Sequence, residues 1–569
     1  MDKNYCFERN LLALSQSNGE LCSRLQGTGT NSNRYKFLES RSGDTVPAWI
    51  DSAGAAHPLH STIDPEREAK RLIESVEGEC FLILLGLGGG YFAEAALQRN
   101  DIGMVLVIEY DLNGLAELFC HRNYAGLFSD SRFRLCLDLS GEELEQHILN
   151  LYQPVLYGGI RVIPLRSRTG PDAGTFAPAG NAIQSAIDKV SSDYSVQAHF
   201  GTRWFSNIIK NLGSAGEFQA ALPPISKAAV TAAGPSLTTQ ISRLKEKRKE
   251  FFLIAADTSL PCLLYEGIKP DAVISIDCQH ISYYHFMDGL PEGILLFLDL
   301  ASPPLIGSRH SRPFFFSGGN PLTRYVSRVW RPLPELDTSG GNVTYAAVSL
   351  AEQLGAGEIE LYGADFSYPH GISYARGTYI YSFFGKRQNR FLPLEAQASS
   401  FLFRVPVEKI VSGENWYYET RAMKFYRERL EEKSFHMHTL ITPIKGMGAT
   451  VSTGSSGKTN RQLKVFSYGK KLMSPMDFLC QYQNGIEKIP LPDKYTADYL
   501  ASVKGETRVI FTTLLPVIAA MKKQYPEASF RELLEKTKAY CDKKINTVLN
   551  LSNSPYSNCD ISIRTKNYL

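Results

Sequence analysis

The chain has 569 residues, 43% hydrophobic and 21% charged, enough for several soluble domains with large buried cores. Its 61 basic and 58 acidic residues leave a formal net charge of +3, which gives neither the electrostatic footprint of a duplex nucleic-acid binder nor an acidic tail. The longest apolar runs, near Phe81 and Leu295, are short and broken by Gly, Pro or Asp, so no bilayer span is expected.

The segment MDKNYCFERNLLALSQSNGE has no apolar stretch followed by a small-residue cleavage site, so no secretory signal is expected. The 10 cysteines stand singly, without a CxxC pair, as free thiols do in a reducing cytoplasm. Residues 1 to about 65 read as a polar, Gly- and Ser-rich lead-in, with short alternating strands from Lys36 onward. Asp64 and Pro65 then start a helix, as N-cap and first position.

FLILLGLGGGYFAEAALQ reads as a buried strand, a glycine turn and a helix, and VLVIEYD as the next strand, ending at Glu109 and Asp111. This is the βαβ rhythm of a doubly wound unit, which RFRLCLDL and IRVIPL continue. In the turn, Gly86, Gly88, Gly89 and Gly90 let the backbone come close to a nucleotide, and Glu109 is placed to accept a ribose hydroxyl. The pattern resembles the nucleotide turn of methyltransferase-like Rossmann domains. It fits equally a close strand–helix turn that binds nothing. Residues 181–220 predict helix, and a boundary falls near Pro223 and Pro224.

A second α/β pattern follows. AAVTAAGPSL, FFLIAADTSL, DAVISIDCQ, GILLFLDL, PFFFSGG and EIELYGADFSY are short apolar strands, most ending in small or acidic residues. Ligands of open parallel sheets sit beyond the carboxyl ends of strands. There the sequence sets Gly234, Pro235 and Ser236, opening a helix whose N–H groups suit an anion; Asp257 and Asp277; Ser317 and Gly318; Thr338, Ser339 and Gly340, opening another helix; and Asp365. Beyond about Arg387 the pattern turns mainly helical, with ENWYYETRAMKFYRERLEEKSF, RVIFTTLLPVIAAMKKQYP and ASFRELLEKTKAYCDKKINTVLNLS as amphipathic helices. GSSGKT from Gly454 to Thr459 is no Walker A, because Ser452 stands where the first glycine belongs; it reads as a loop. The expected architecture is two Rossmann-like α/β domains, 1–220 and 221–390, followed by a mainly α-helical domain, 391–569.

The order GPSL, two strands, TSGG before a helix, then G-x-D-F resembles the bacterial sialyltransferases that use CMP-sialic acid. It is still more similar to the motility-associated factor (Maf) proteins, whose central domain is related to those enzymes. The specific motifs cover residues 225–385. The resemblance implies a cytoplasmic glycosyltransferase that moves a nonulosonic acid, of the pseudaminic or legionaminic type, from a CMP donor to Ser or Thr of flagellin. It implies that Gly234, Pro235 and Ser236 cradle the CMP phosphate, that Thr338, Ser339 and Gly340 line the nucleotide or the sugar carboxylate, and that Asp365 orders the pocket. Tyr368 and Tyr374 are the tyrosines nearest the position that stabilises the leaving phosphate, and His370 is the first choice of general base, with His280 the second. No DxD pair is present, and a monophosphate leaving group needs a divalent cation less than a diphosphate does, so no metal or other cofactor is expected. PDAVISIDCQ is also similar to pterin and thiamin pyrophosphokinases, with Asp257 and Asp277 as magnesium ligands. A flagellin-binding factor without catalysis is the third reading.

Overall fold

The predicted apolar strands assemble into two α/β units in the computed structural model, which describes residues 3–29, 33–51, 53–216, 221–308, 310, 312–412, 415–454, 466–493 and 496–552. The first unit draws on residues 1–201, 488–508 and 515–537, the second on 202–487, 509–514 and 538 onward. Both parallel sheets are Rossmann-like, and the chain beyond Pro475 is mainly helical.

In the first unit, β1 (Tyr35–Glu39), β2 (Thr45–Ile50) and β3 (Ala56–Pro58) form an antiparallel sheet. Next come β4 (Cys80–Leu85), β5 (Ile102–Glu109), β6 (Phe133–Leu137) and β7 (Gly159–Pro164), a parallel sheet in the order β6-β5-β4-β7. The unbroken apolar run of β4 is buried at nearly every position, as a strand covered on both faces must be. Asp64 caps the helix Pro65–Glu74 by accepting from the Arg67 N–H at 2.8 Å.

The polar lead-in is not irregular. Lys3–Ser17 and Gly19–Gln26 are helices. The buried stripe of the first is Cys6, Asn10, Leu11 and Leu14. Its polar member, Asn10, is buried because its amide donates to the carbonyls of Phe119 and Arg122 and accepts from the Tyr124 N–H. A stripe with an asparagine at its centre is hidden from a hydrophobicity pattern.

In the second unit, β8 (Lys227–Thr231), β9 (Phe252–Ala256), β10 (Ala272–Ser275), β11 (Leu295–Asp299), β12 (Phe314–Phe316) and β13 (Glu358–Tyr362) are the six expected strands. After them come β14 (Tyr368–Pro369), β15 (Glu408–Ser412), β16 (Asn415–Glu419) and β17 (Leu440–Pro443). The parallel sheet has seven strands in the order β12-β11-β10-β9-β8-β13-β17, its last member coming from the C-terminal third. Ala346, Ala347 and Leu350 of the helix Val343–Gln353 join the core formed by Val230, Ile254 and Ile274, the alanines allowing close approach to the sheet.

NWYYE, expected as the start of a helix, is instead β16, paired with β14 and β15. Three successive aromatics favour a pleated strand, and Thr420 then caps the helix Arg421–His436 by accepting from Met423 N–H at 3.1 Å. The GSSGKT stretch beyond Gly454 lies outside the described residues. Among the described residues no helix is long and apolar enough to cross a membrane.

Candidate functional site

The chain runs outward from β8 to β12 and then returns to the other side of β8 as β13. The strand order therefore reverses between β8 and β13, the place where open α/β sheets bind ligands. The turn after β8 carries Gly234, Pro235 and Ser236, and the turn after β13 carries Asp365. The structure does bring these four together. Asp365 accepts from the Ser236 N–H at 2.8 Å, from the Ser236 hydroxyl at 2.5 Å and from the Gly448 N–H at 3.2 Å. Burial nonetheless pushes the Asp365 carboxyl above the ordinary range. The Ser236 Oγ accepts in turn from the Met447 N–H at 2.7 Å. Gly234 must be glycine here, because a Cβ would collide with the Asp365 carboxylate and the Gly363 carbonyl.

This arrangement is a lock rather than an open cradle. The first N–H groups of the helix Ser236–Glu246 were expected to face a phosphate. Instead Ser236 N–H meets Asp365, Leu237 N–H meets the Gly234 carbonyl, and Thr238 N–H meets the Pro235 carbonyl. The anion at this helix N-terminus is Asp365 itself.

The tips of β9, β10 and β11 hold a second group. Asp257 is almost fully buried and accepts from the Ser275 hydroxyl at 2.6 Å and the Thr258 N–H at 2.6 Å. Asp277 is raised by burial and by the charge of Asp257. His285, on the turn His280–Phe286, is buried with Nε2 3.5 Å from the Thr258 hydroxyl. Its Nδ1 has no hydrogen-bond partner among the described residues. Burial pushes the imidazole below its ordinary range, and the charges of Asp257 and Asp277 oppose that push. Tyr379 stands edge-on at 4.6 Å from the His285 ring, and Tyr374 lies 6.5 Å from Tyr379. A cavity of about 500 Å³ opens beside His285, bounded also by Tyr265, Arg376, Thr378 and Tyr381.

Asp299 ends β11 as Asp257 and Asp277 follow β9 and β10. Burial pushes its carboxyl up to about 6, although the N–H groups of Ala301 and Gly318 donate to it. Gly318 packs against Asp299, and the Thr338 hydroxyl donates to the Gly318 carbonyl at 2.9 Å. Ser317 bonds the Thr323 hydroxyl at 2.8 Å and so serves its own turn. Ser339 and Gly340 belong to a neighbouring network: Ser339 N–H donates to Asp337, and Gly340 lies against the Tyr345 ring. Burial opposes ionisation of Asp337, but the hydrogen bonds from Lys433, Ser339 and Tyr345 outweigh it and hold this carboxyl well below the carboxylate range.

His370 is exposed at the end of β14, its ring edge-on at 5.5 Å from Trp416. Tyr368 is buried on β14 opposite Tyr418. His280 is exposed and lines a different cavity. The histidine facing the carboxylates is thus His285, which sequence reading passed over together with Asp299 and Tyr379. Asp299 could have been found, since it closes its strand as Asp257 and Asp277 do theirs. His285 had no comparable signal, because only the fold of HISYYHF turns it toward Asp257. No cluster of three or more His, Cys, Asp and Glu able to hold a metal ion occurs among the described residues.

In the first unit Gly86, Gly88 and Glu109 are adjacent, but protein groups fill the turn. Glu109 accepts from Arg168 at 2.7 Å, from Leu87 N–H at 3.2 Å and from Tyr110 N–H at 3.0 Å. Gly88 has φ +51°, and a Cβ there would lie 2.6 Å from His60 Nε2. His60 accepts the Gly89 N–H at 2.9 Å, and burial brings its pKa down to about 3, which keeps the ring neutral.

Residues 202–371 match the family model described as 6-hydroxymethylpterin diphosphokinase MptE-like. Two uncharacterised proteins of Treponema pallidum (strain Nichols) are similar. One is 33% identical over 141 residues, 24% of this chain and 67% of that protein. The other is 34% identical over 152 residues, 26% of this chain and 54% of that protein. Among solved structures, the Maf glycosyltransferase from Magnetospirillum magneticum AMB-1 superposes with a TM-score of 0.57 at 12% identity, over 96% of this chain and 95% of that one. The motif resemblance to Maf proteins thus extends, at the level of the fold, over nearly the whole chain.

Proposed function

We propose that this chain, which belongs to one family with the first of those treponemal proteins and has the Maf glycosyltransferase fold, is itself a glycosyltransferase. The observation that carries the proposal is the group of buried Asp257 and His285 with half-buried Asp277 at the strand ends, beside a cavity of about 500 Å³. A cavity of that size suits a sugar or nucleotide. The donor is a CMP-linked nonulosonic acid, the acceptor a Ser or Thr hydroxyl of flagellin in the cytoplasm, and the modification serves flagellum assembly and motility.

In this reading His285 is the general base. Its depressed pKa keeps the ring neutral near pH 7 and able to take a proton. The acceptor oxygen forms a bond to the anomeric carbon, the bond from that carbon to the phosphate oxygen breaks, and CMP departs with the electron pair. The acceptor proton passes to His285, and Asp257 and Asp277 stabilise the imidazolium that results. Arg376, on the cavity wall, supplies positive charge for the leaving phosphate. A divalent cation is not required, and chelator is expected to leave turnover intact.

The test is intact-mass analysis of flagellin co-expressed with the protein in a host that makes the donor. A mass increase in steps of one nonulosonic residue is expected. H285N is expected to lower the rate by 10²- to 10⁴-fold, while H370A keeps most of it. No mass shift with the donor present, or full activity in H285N, overturns the proposal. The MptE-like match favours one competing reading, a magnesium-dependent pterin-type diphosphokinase, which release of AMP from ATP would reveal.

A further inference from the structure

A second cavity of the same unit, with none of its lining residues shared with the first, is lined by His280 of the loop after β10. It has a volume of about 430 Å³ and is bounded by the helix Ala173–Ala215, the His280 turn, Pro304 and Leu305, and the helix Phe530–Ser552. Its floor is rigid. Asn207 donates to the carbonyls of Cys278 and Ala301 at 3.2 and 2.8 Å, and Asn211 to those of Leu300 and Ser302 at 2.9 and 2.8 Å. Both asparagines are buried, so one helix face fastens the loops that follow β10 and β11.

Its walls are cationic. Arg203 and Lys210 come from the face that carries Asn207 and Asn211, and Lys544 projects one turn beyond Tyr540 on the opposite helix. His280 completes the ring, and no carboxylate is among the lining residues. Lys210 and Lys544 form no ion pair among the described residues. Asp542, two residues before Lys544, is taken by Gln483 and Asn546. Lys210 and Lys544, lining one cavity without an ion-pair partner among the described residues, repel one another, and an anion between them relieves that repulsion.

We propose that this cavity binds a phosphate-bearing anion. Lys210, Lys544 and Arg203 meet the phosphate charge, His280 and the Ser206 hydroxyl offer hydrogen bonds at the wall, and Tyr540 and Leu305 give an apolar side. The phosphate is either the free ion or part of a nucleoside monophosphate, since the volume admits both. The site is separate from the Asp257–His285 cavity, and the proposal does not depend on glycosyl transfer.

Isothermal titration calorimetry of the full chain with inorganic phosphate and, separately, with CMP tests it at low and moderate salt. Saturable binding is expected for at least one probe, weakening as salt rises. K210E/K544E is expected to weaken it at least tenfold, and K210R/K544R to retain it. Phosphate binding lost in K210E/K544E, with CMP no tighter, identifies a free-ion site; CMP binding tighter than phosphate and lost in K210E/K544E identifies a nucleotide site. D257N is expected to leave phosphate binding unchanged. The proposal is overturned if neither probe binds, or if K210E/K544E weakens the binding of neither. It is overturned also if D257N abolishes binding while K210E/K544E does not. Should K210E/K544E unfold by circular dichroism, K210Q/K544Q serves in its place under the same criteria.

Discussion

Single residues in the second unit show how burial rather than charge pairing sets acidity. Burial, opposed by the N–H groups of Ala301 and Gly318, pushes the Asp299 carboxyl up to about 6 from an ordinary value of about 3.9. As pH rises, the unfolded chain therefore loses this proton first. The stability held by the protonated form is complete below about pH 4 and is lost as pH rises through 6, a loss of up to about 3 kcal/mol. This is the reverse of the usual carboxylate behaviour. Urea unfolding of wild type and D299N at pH 4.5 and pH 7.5 should show the variant gaining on wild type by about 2 kcal/mol at the higher pH, since part of the stability is already lost at pH 4.5. A pH-independent difference between the two would count against the assignment. The same scale explains why Ser236 and Asp365, which the fold brings together, do not form an open anion cradle: the carboxylate already occupies the helix N-terminus.

At the scale of elements, the helix Ala173–Ala215 does more than link two patterns. Its last turns carry Asn207 and Asn211, which accept no role in a hydrophobic stripe yet are buried against the sheet's carboxyl edge. N211A leaves the carbonyls of Leu300 and Ser302 without the amide that satisfies them. Each such loss costs about 1–3 kcal/mol, so the variant should unfold at measurably lower denaturant while its secondary structure is unchanged. A midpoint equal to wild type would show that solvent replaces the amide. The predicted strands were legible because each is a short apolar run closed by a small or acidic residue. Residues 3–26 and 415–419 were misread for opposite reasons. In the first, a buried asparagine interrupts the stripe; in the second, aromatic residues that fit a helix face also fit a pleat.

At the scale of the molecule, the C-terminal segments complete both units. Val517, Ile518, Leu533 and Leu534 are buried within the first, and Ile510, Phe511, Leu514, Cys541 and Ile545 within the second. Burying each large apolar side chain contributes about 1.5–3 kcal/mol, a sum beyond the marginal stability of a domain. A chain ended at Glu487 should therefore fail to show a cooperative thermal transition in either unit. A cooperative transition retained at the wild-type temperature would show that the earlier segments fold without these helices.

Sequence by itself determined the strands of both parallel sheets other than β17, the glycine turns, and the placement of Asp257, Asp277, Ser317, Gly318 and Asp365 beyond strand ends. These are local matters, set by the apolar run that makes a strand and by the small residue that lets the next element turn. It also carried the resemblance whose fold extends over the chain. Tertiary structure alone decided which of those residues face one another. It set Arg168 against Glu109, closed Asp365 onto Ser236, and turned His285 toward Asp257 and Asp277 while leaving His370 exposed. It also recruited β17 from the C-terminal third into the central sheet. Pairing between segments far apart in the chain depends on burial and on unsatisfied polar groups finding partners, and neither is written in the spacing of residues along the sequence.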